Sequence, residues 1–107
     1  MKYTFKKDDF IQTKKTDSMD IFSAGFQTDS FSLVKGFLKS EHDCSKTRSS
    51  DRTYFILNGE AKFKIQNDSF FVKTGDLINI PKEIEYSIKG KAEMLIINNP
   101  PFNPLKD

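Results

Sequence analysis

The chain has 107 residues, 36% apolar and 30% charged, and its 17 Lys and Arg against 15 Asp and Glu leave a formal net charge of +2. That length suits one domain with a modest core, and so weak and dispersed a charge argues against a nucleic-acid binder. No segment approaches the roughly 18 apolar residues of a membrane span, the first ten residues lack the apolar run of a secretory signal, and the lone Cys44 fits a reducing compartment, so a cytoplasmic location is expected.

In chain order, residues 1–29 read as an N-terminal arm with edge strands, 30–103 as the main β unit and 104–107 as a tail, all within one domain. Tyr3 and Phe5 alternate with polar neighbours, predicting a short edge strand followed by a polar loop to Asp20. Such an arm suits pairing with a second subunit, and a homodimer is expected. Residues 21–29 read as a strand interrupted at Gly25. Phe31, Leu33 and Phe37 share a parity in the next strand, with Gly36 a bulge or a close contact. The segment KSEHDCSKTRSSD, residues 39–51, reads as a polar loop that holds the only His, His42, and the only Cys.

The most regular stretch follows. TYFIL and AKFKI flank Asn58-Gly59, a strong hairpin signal because both residues tolerate positive φ. Gln66-Asn67-Asp68 turns into SFFVK, in which Phe70 and Phe71 are expected to divide between the core and a dimer interface. Thr74-Gly75-Asp76 turns into LINIP, where Asn79 faces solvent and Pro81 ends the ladder. Glu85–Ile88 and Ala92–Asn98 flank a predicted turn at Lys89-Gly90-Lys91. Pro100-Pro101-Phe102 is expected to close one end. No apolar stripe of helical period persists, so the fold class is all-β, a sandwich or jelly-roll barrel.

RTYFILNGEAKFKI, GDLINIP and MLIINNPPF together resemble the cupin family, over roughly residues 30–103. The resemblance implies a cupin-type jelly-roll β-barrel. The first cupin motif places two His and a Glu before a closing Gly. With that glycine at Gly59, the Glu position is Arg52 and the His positions are Lys46 and Arg48, or Ser45 and Thr47 in the longer spacing. Anchored on Gly75 and Pro81, the second motif places its Gly at Glu83, its His at Tyr86 and its Asn at Gly90. Ammonium and guanidinium groups have no lone pair to give a metal, so no metal and no other cofactor is expected. A second register remains open, in which His42 and Cys44 fill the two His positions with Asp51 nearby.

Lys46, Arg48, Arg52 and Tyr54 share one strand parity, and the resemblance turns that face into the barrel. Together with Tyr86 they form a candidate site for a small polar or anionic molecule, such as a carbohydrate derivative, since the arginine fork suits carboxylate, sulfate or phosphate. The other reading of SKTRSSDR is a solvated loop with its charges outward. His42 and Tyr86 are the candidates for acid/base catalysis. The leading expectation is a metal-independent binding module, and the alternative is a cupin enzyme with acid/base chemistry such as a sugar isomerase or epimerase. A structural protein with a filled barrel is the third.

Overall fold

In the computed structural model, which describes residues 3–101 but not the side chains of Asp43, Cys44 and Ser45, a single 3-10 turn at Lys7–Asp9 precedes eight strands. These are β1 (Ile11–Lys15), β2 (Met19–Ser23), β3 (Ser32–Leu38), β4 (Glu41–Ser45), β5 (Asp51–Ile65), β6 (Asp68–Lys73), β7 (Leu77–Ile80) and β8 (Tyr86–Asn99). The expected closure by Phe102 and the tail at 104–107 lie outside the described residues, as does any metal role of the Cys44 side chain.

β5 and β8 form the spine, paired antiparallel from Asp51↔Asn99 to Ile65↔Tyr86. Each is long enough to serve two sheets. Ala92–Asn98 of β8 pairs with β3, whereas Tyr86–Lys89 pairs with β4. Arg52–Phe55 of β5 pairs with β7, whereas Glu60–Ile65 pairs with β6. One sheet therefore runs β1-β2-β3-β8-β5-β7 and the other β4-β8-β5-β6, and the bent ribbon joins them as a jelly roll. Between them lie Ile56, Phe63, Ile80, Ile88 and Met94, all fully buried. Each contributes about 1.5–3 kcal/mol relative to exposure.

The bend corrects two expected turns. Asn58-Gly59 is not a hairpin, because β5 runs straight through it with a bulge between Ile56 and Asn58. That bulge moves the inward face from Tyr54 and Ile56 to Ala61 and Phe63, a parity break that mimics a turn in the sequence. Lys89-Gly90-Lys91 is also interior to a strand. Gly59 (φ 101) lies opposite Ala92 and Gly90 (φ 146) opposite Ala61. A Cβ on Gly90 would stand 2.5 Å from the Glu60 carbonyl oxygen, and one on Gly59 would run into that of Lys91. These glycines let the two paired backbones approach closely where the ribbon bends.

Other expectations also shift. The first strand is Ile11–Lys15, not the segment of Tyr3 and Phe5; there Lys6 N–H bonds the Asp9 carboxylate at 2.8 Å and starts the 3-10 turn. The inward row of β3 is Ser32, Gly36 and Leu38, while Phe37 packs outside against Phe22 with centroids 5.4 Å apart. Gly36 is a close contact without a bulge, since a Cβ there would meet Ile96 Cδ1 at 2.8 Å. Part of the expected loop at 39–51, Glu41–Ser45, is strand β4. Neither Phe70 nor Phe71 is core, with 45% and 79% of their surfaces exposed on β6. Asn79 does face solvent, and its Nδ2 donates to Thr53 Oγ1 at 2.8 Å.

Candidate functional site

A cavity of about 380 Å³ opens between β1–β2 and the inner ends of β3, β5 and β8. The inward row of β8 ends with Ile96 and Asn98, and the inward row of β5 begins with Arg52 and Tyr54. Because Arg52 and Asn98 are register partners, their side chains stand side by side on the cavity wall, and Arg52 Nε donates to Asn98 Oδ1 at 2.7 Å. Arg52 also donates through a terminal nitrogen to the Tyr86 hydroxyl at 3.1 Å, and the Tyr86 and Tyr54 hydroxyls are 2.6 Å apart. Phe63 supports both phenols, its ring centroid 5.0 Å from that of Tyr54 and 6.3 Å from that of Tyr86.

Burial pushes the Tyr54 phenol well above its ordinary pKa; neighbouring Tyr86 adds to the rise and Arg52 opposes it. For Arg52, burial works against the charge, but the two phenols outweigh it and the pKa is raised. The group therefore presents a permanent cation, backed by two hydroxyls, to the cavity.

His42 lines the same cavity from β4, where it pairs with Ile88 of β8. Its Nδ1 lies 2.9 Å from the hydroxyl of Ser18 in the β1–β2 turn. Lys14, on β1, contributes a second cation to the lining, and Met19, Ile21, Val34 and Ile96 supply apolar walls. The lining thus combines an imidazole, two cations and neutral hydrogen-bonding groups with apolar surface, a composition suited to a small, partly polar molecule.

Of the residues expected in the site, the structure brings Arg52, Tyr54 and His42 to the cavity. Tyr86, only 3% exposed, lies behind it and reaches it through Arg52 and Tyr54. Lys46 and Arg48 are exposed and stand outside the lining; the Lys46 ammonium lies 3.9 Å from the Glu83 carboxylate. Their expected shared face with Arg52 required an unbroken strand. Between Ser45 and Asp51 the chain instead leaves the ladder, turned by a short Thr47 hydroxyl bond to the Ser50 carbonyl and held by Glu83 N–H to Thr47 O at 2.7 Å. Sequence reading missed Lys14, Ser18 and Asn98. Asn98 alone left a signal, as the polar end of the alternating row Ala92, Met94, Ile96.

The donors do not fit the metal that many cupins hold. The inward positions facing one another are a guanidinium, two phenols and an amide, and among the described residues no three His, Cys, Asp or Glu converge.

The fold and its cavity define a cupin-type jelly-roll barrel with a site at one end. No family model matches the chain, and no curated protein does. Solved structures place the likeness: the nucleoside dehydratase Pac13 of Streptomyces superposes with a TM-score of 0.88 over 99% of this chain and 88% of that one, at 20% identity. KdgF from Halomonas sp. follows at a TM-score of 0.80, 10% identity, 92% of this chain and 94% of that one. An RmlC-like cupin from Shewanella frigidimarina gives 0.79 and 12%, over 94% and 92%. The chain has the cupin fold. Pac13 has been solved with uridine in forms that replace tyrosine by phenylalanine at two positions and histidine by glutamine.

Proposed function

We propose that the cavity binds a nucleoside or a related sugar derivative and removes water from it by acid/base chemistry, without a metal. The observation that carries this reading is the convergence of one imidazole, His42, with the Arg52–Tyr54–Tyr86 cluster on a single cavity. It is supported by the likeness to a nucleoside dehydratase solved with uridine and substituted at the same residue types, two tyrosines and a histidine.

Elimination of water needs a base for a C–H bond and a group that stabilises the electrons left behind. An imidazole is too weak a base for an unactivated alcohol, so the substrate carries a carbonyl next to the carbon that loses its proton. His42 takes that proton, and the electron pair moves onto the carbonyl oxygen facing Arg52. The pair then returns to form the double bond as the neighbouring hydroxyl leaves. The imidazolium gives its proton to that hydroxyl, so the products are one unsaturated molecule and one water. Tyr54 and Tyr86 hold the guanidinium in place.

Calorimetric titration with uridine and mass spectrometry of mixtures with carbonyl-oxidised uridine test the proposal. Binding of uridine and loss of one water from the oxidised form are expected, with turnover reduced 10²- to 10⁴-fold in His42→Gln and uridine binding largely kept. Turnover that survives His42→Gln rules His42 out as the base. Uridine binding with no dehydration of any oxidised nucleoside would return the protein to the simpler role of a small-molecule binder.

A further inference from the structure

The chain has a single histidine, and the turn that holds it allows its protons to be counted. Thr16 Oγ1 accepts from Met19 N–H at 2.9 Å and donates its only proton to the Met19 carbonyl at 2.8 Å. The Thr16 hydroxyl also meets the Ser18 hydroxyl at 3.3 Å. With the threonine proton already directed at Met19, that contact takes its proton from Ser18. The Ser18 oxygen then meets His42 Nδ1, 2.9 Å away, as an acceptor. Nδ1 therefore carries hydrogen, and in a neutral imidazole the lone pair falls to Nε2. The turn itself is pinned, by Thr16 N–H to Met19 O at 3.0 Å and by Lys39 N–H to Ser18 O at 2.8 Å.

We propose that Thr16 and Ser18 are positioning residues that hold His42 in its Nδ1–H form and make Nε2 the basic nitrogen. The use of that base rests on the dehydration reading above; the tautomer does not. Free imidazole side chains in water favour the opposite form, so the turn reverses a solution preference. Were Ser18 to donate to Nδ1 instead, Nε2 would become an N–H donor and His42 could not start by taking a proton. The β1–β2 turn, remote in sequence from β4, would thus decide whether the imidazole begins as acid or base.

Long-range proton–nitrogen correlation spectra of untagged, ¹⁵N-labelled protein read this directly, at about pH 8, where an ordinary imidazole is neutral. One histidine gives one pattern. The expected pattern has a pyrrole-like Nδ1 and a pyridine-like Nε2; the reverse overturns the proposal in the wild-type protein alone. In Thr16→Val the Ser18 proton loses its acceptor and turns to Nδ1, so the pattern moves toward Nε2–H. Ser18→Ala moves it the same way, and Ser18→Thr, which keeps the hydroxyl, restores the wild-type pattern. A pattern that neither Thr16→Val nor Ser18→Ala changes also overturns it. Because the spectra read the tautomer with no substrate present, a failed dehydration assay and a failed tautomer assignment are separate results.

Discussion

The most constrained residue of the site is Tyr54. The residue is 2% exposed, its hydroxyl lies 2.6 Å from that of Tyr86, and burial holds its pKa well above the usual tyrosine value. The folded state therefore resists ionising a group that the unfolded chain ionises readily near pH 10. Below that pH both states carry the proton, and the stability linked to Tyr54 is fully present. As pH rises beyond about 10 the unfolded chain releases the proton first, so stability falls with a slope of at most about 1.4 kcal/mol per pH unit from this group. Urea unfolding across the alkaline range should show that decline, and Tyr54→Phe should flatten it. The same variant should cost about 1 kcal/mol at neutral pH, since Tyr86 keeps its bond from Arg52. An equal alkaline slope in the two proteins would mean that Tyr54 ionises as freely folded as unfolded.

At the scale of the elements, the bent β5–β8 ribbon determines the barrel, and two glycines permit its close approach. Gly90→Ala sets a methyl group 2.5 Å from a backbone oxygen at a φ of 146, and Gly59→Ala meets the facing backbone in the same way. Neither neighbour is a flexible side chain that can swing aside. Each substitution should cost about 2–4 kcal/mol, measured as a lower urea midpoint. A loss below about 0.5 kcal/mol would show that the strands can part locally. These glycines also mark the limit of what the sequence reveals. All-β character, the Gly75-Asp76 turn and the stop at Pro81 are local and could be read directly. Gly59 and Gly90 look like turn residues because a close approach of paired strands and a chain reversal make the same local demand for positive φ. One clue separated them: Tyr86, Ile88, Ala92, Met94, Ile96 and Asn98 keep a single parity through Gly90, as a continuous strand must. That Arg52 and Tyr54 share a face followed from such alternation and the family resemblance turned that face inward, whereas Lys46 and Arg48 lie where the chain leaves the ladder and alternation carries no information. His42 itself stood out as the only histidine, but the strand that carries it was hidden for a different reason: its segment is polar, so no apolar row announced β4, and its partner Ser18 depends on pairing between elements far apart in sequence.

For the whole molecule, the net charge of +2 is too small to set up a strong field, so any preference for anions must come from the cavity. Two permanent cations, Lys14 and Arg52, stand in its lining, and among the described residues no Asp or Glu does. A phosphate or carboxylate on the ligand would add an attraction to these two cations that a neutral nucleoside lacks. Opposite unit charges about 4 Å apart attract by about 1 kcal/mol in water and by about 4 kcal/mol at the effective dielectric of a protein surface. Lys14 lies on an exposed strand, so its share belongs near the lower figure. Uridine monophosphate should therefore bind about 5- to 10-fold more tightly than uridine at low salt, by calorimetric titration. The advantage should shrink as added salt shortens the screening length from about 10 Å to about 3 Å, while uridine itself changes little. Lys14→Gln should lower the advantage further without disturbing the Arg52 cluster, because Lys14 shares no hydrogen bond with it. If uridine binds as tightly as its monophosphate at low salt, the Arg52 charge is satisfied by its own phenols and amide, and the cavity reads shape and hydrogen bonds rather than charge.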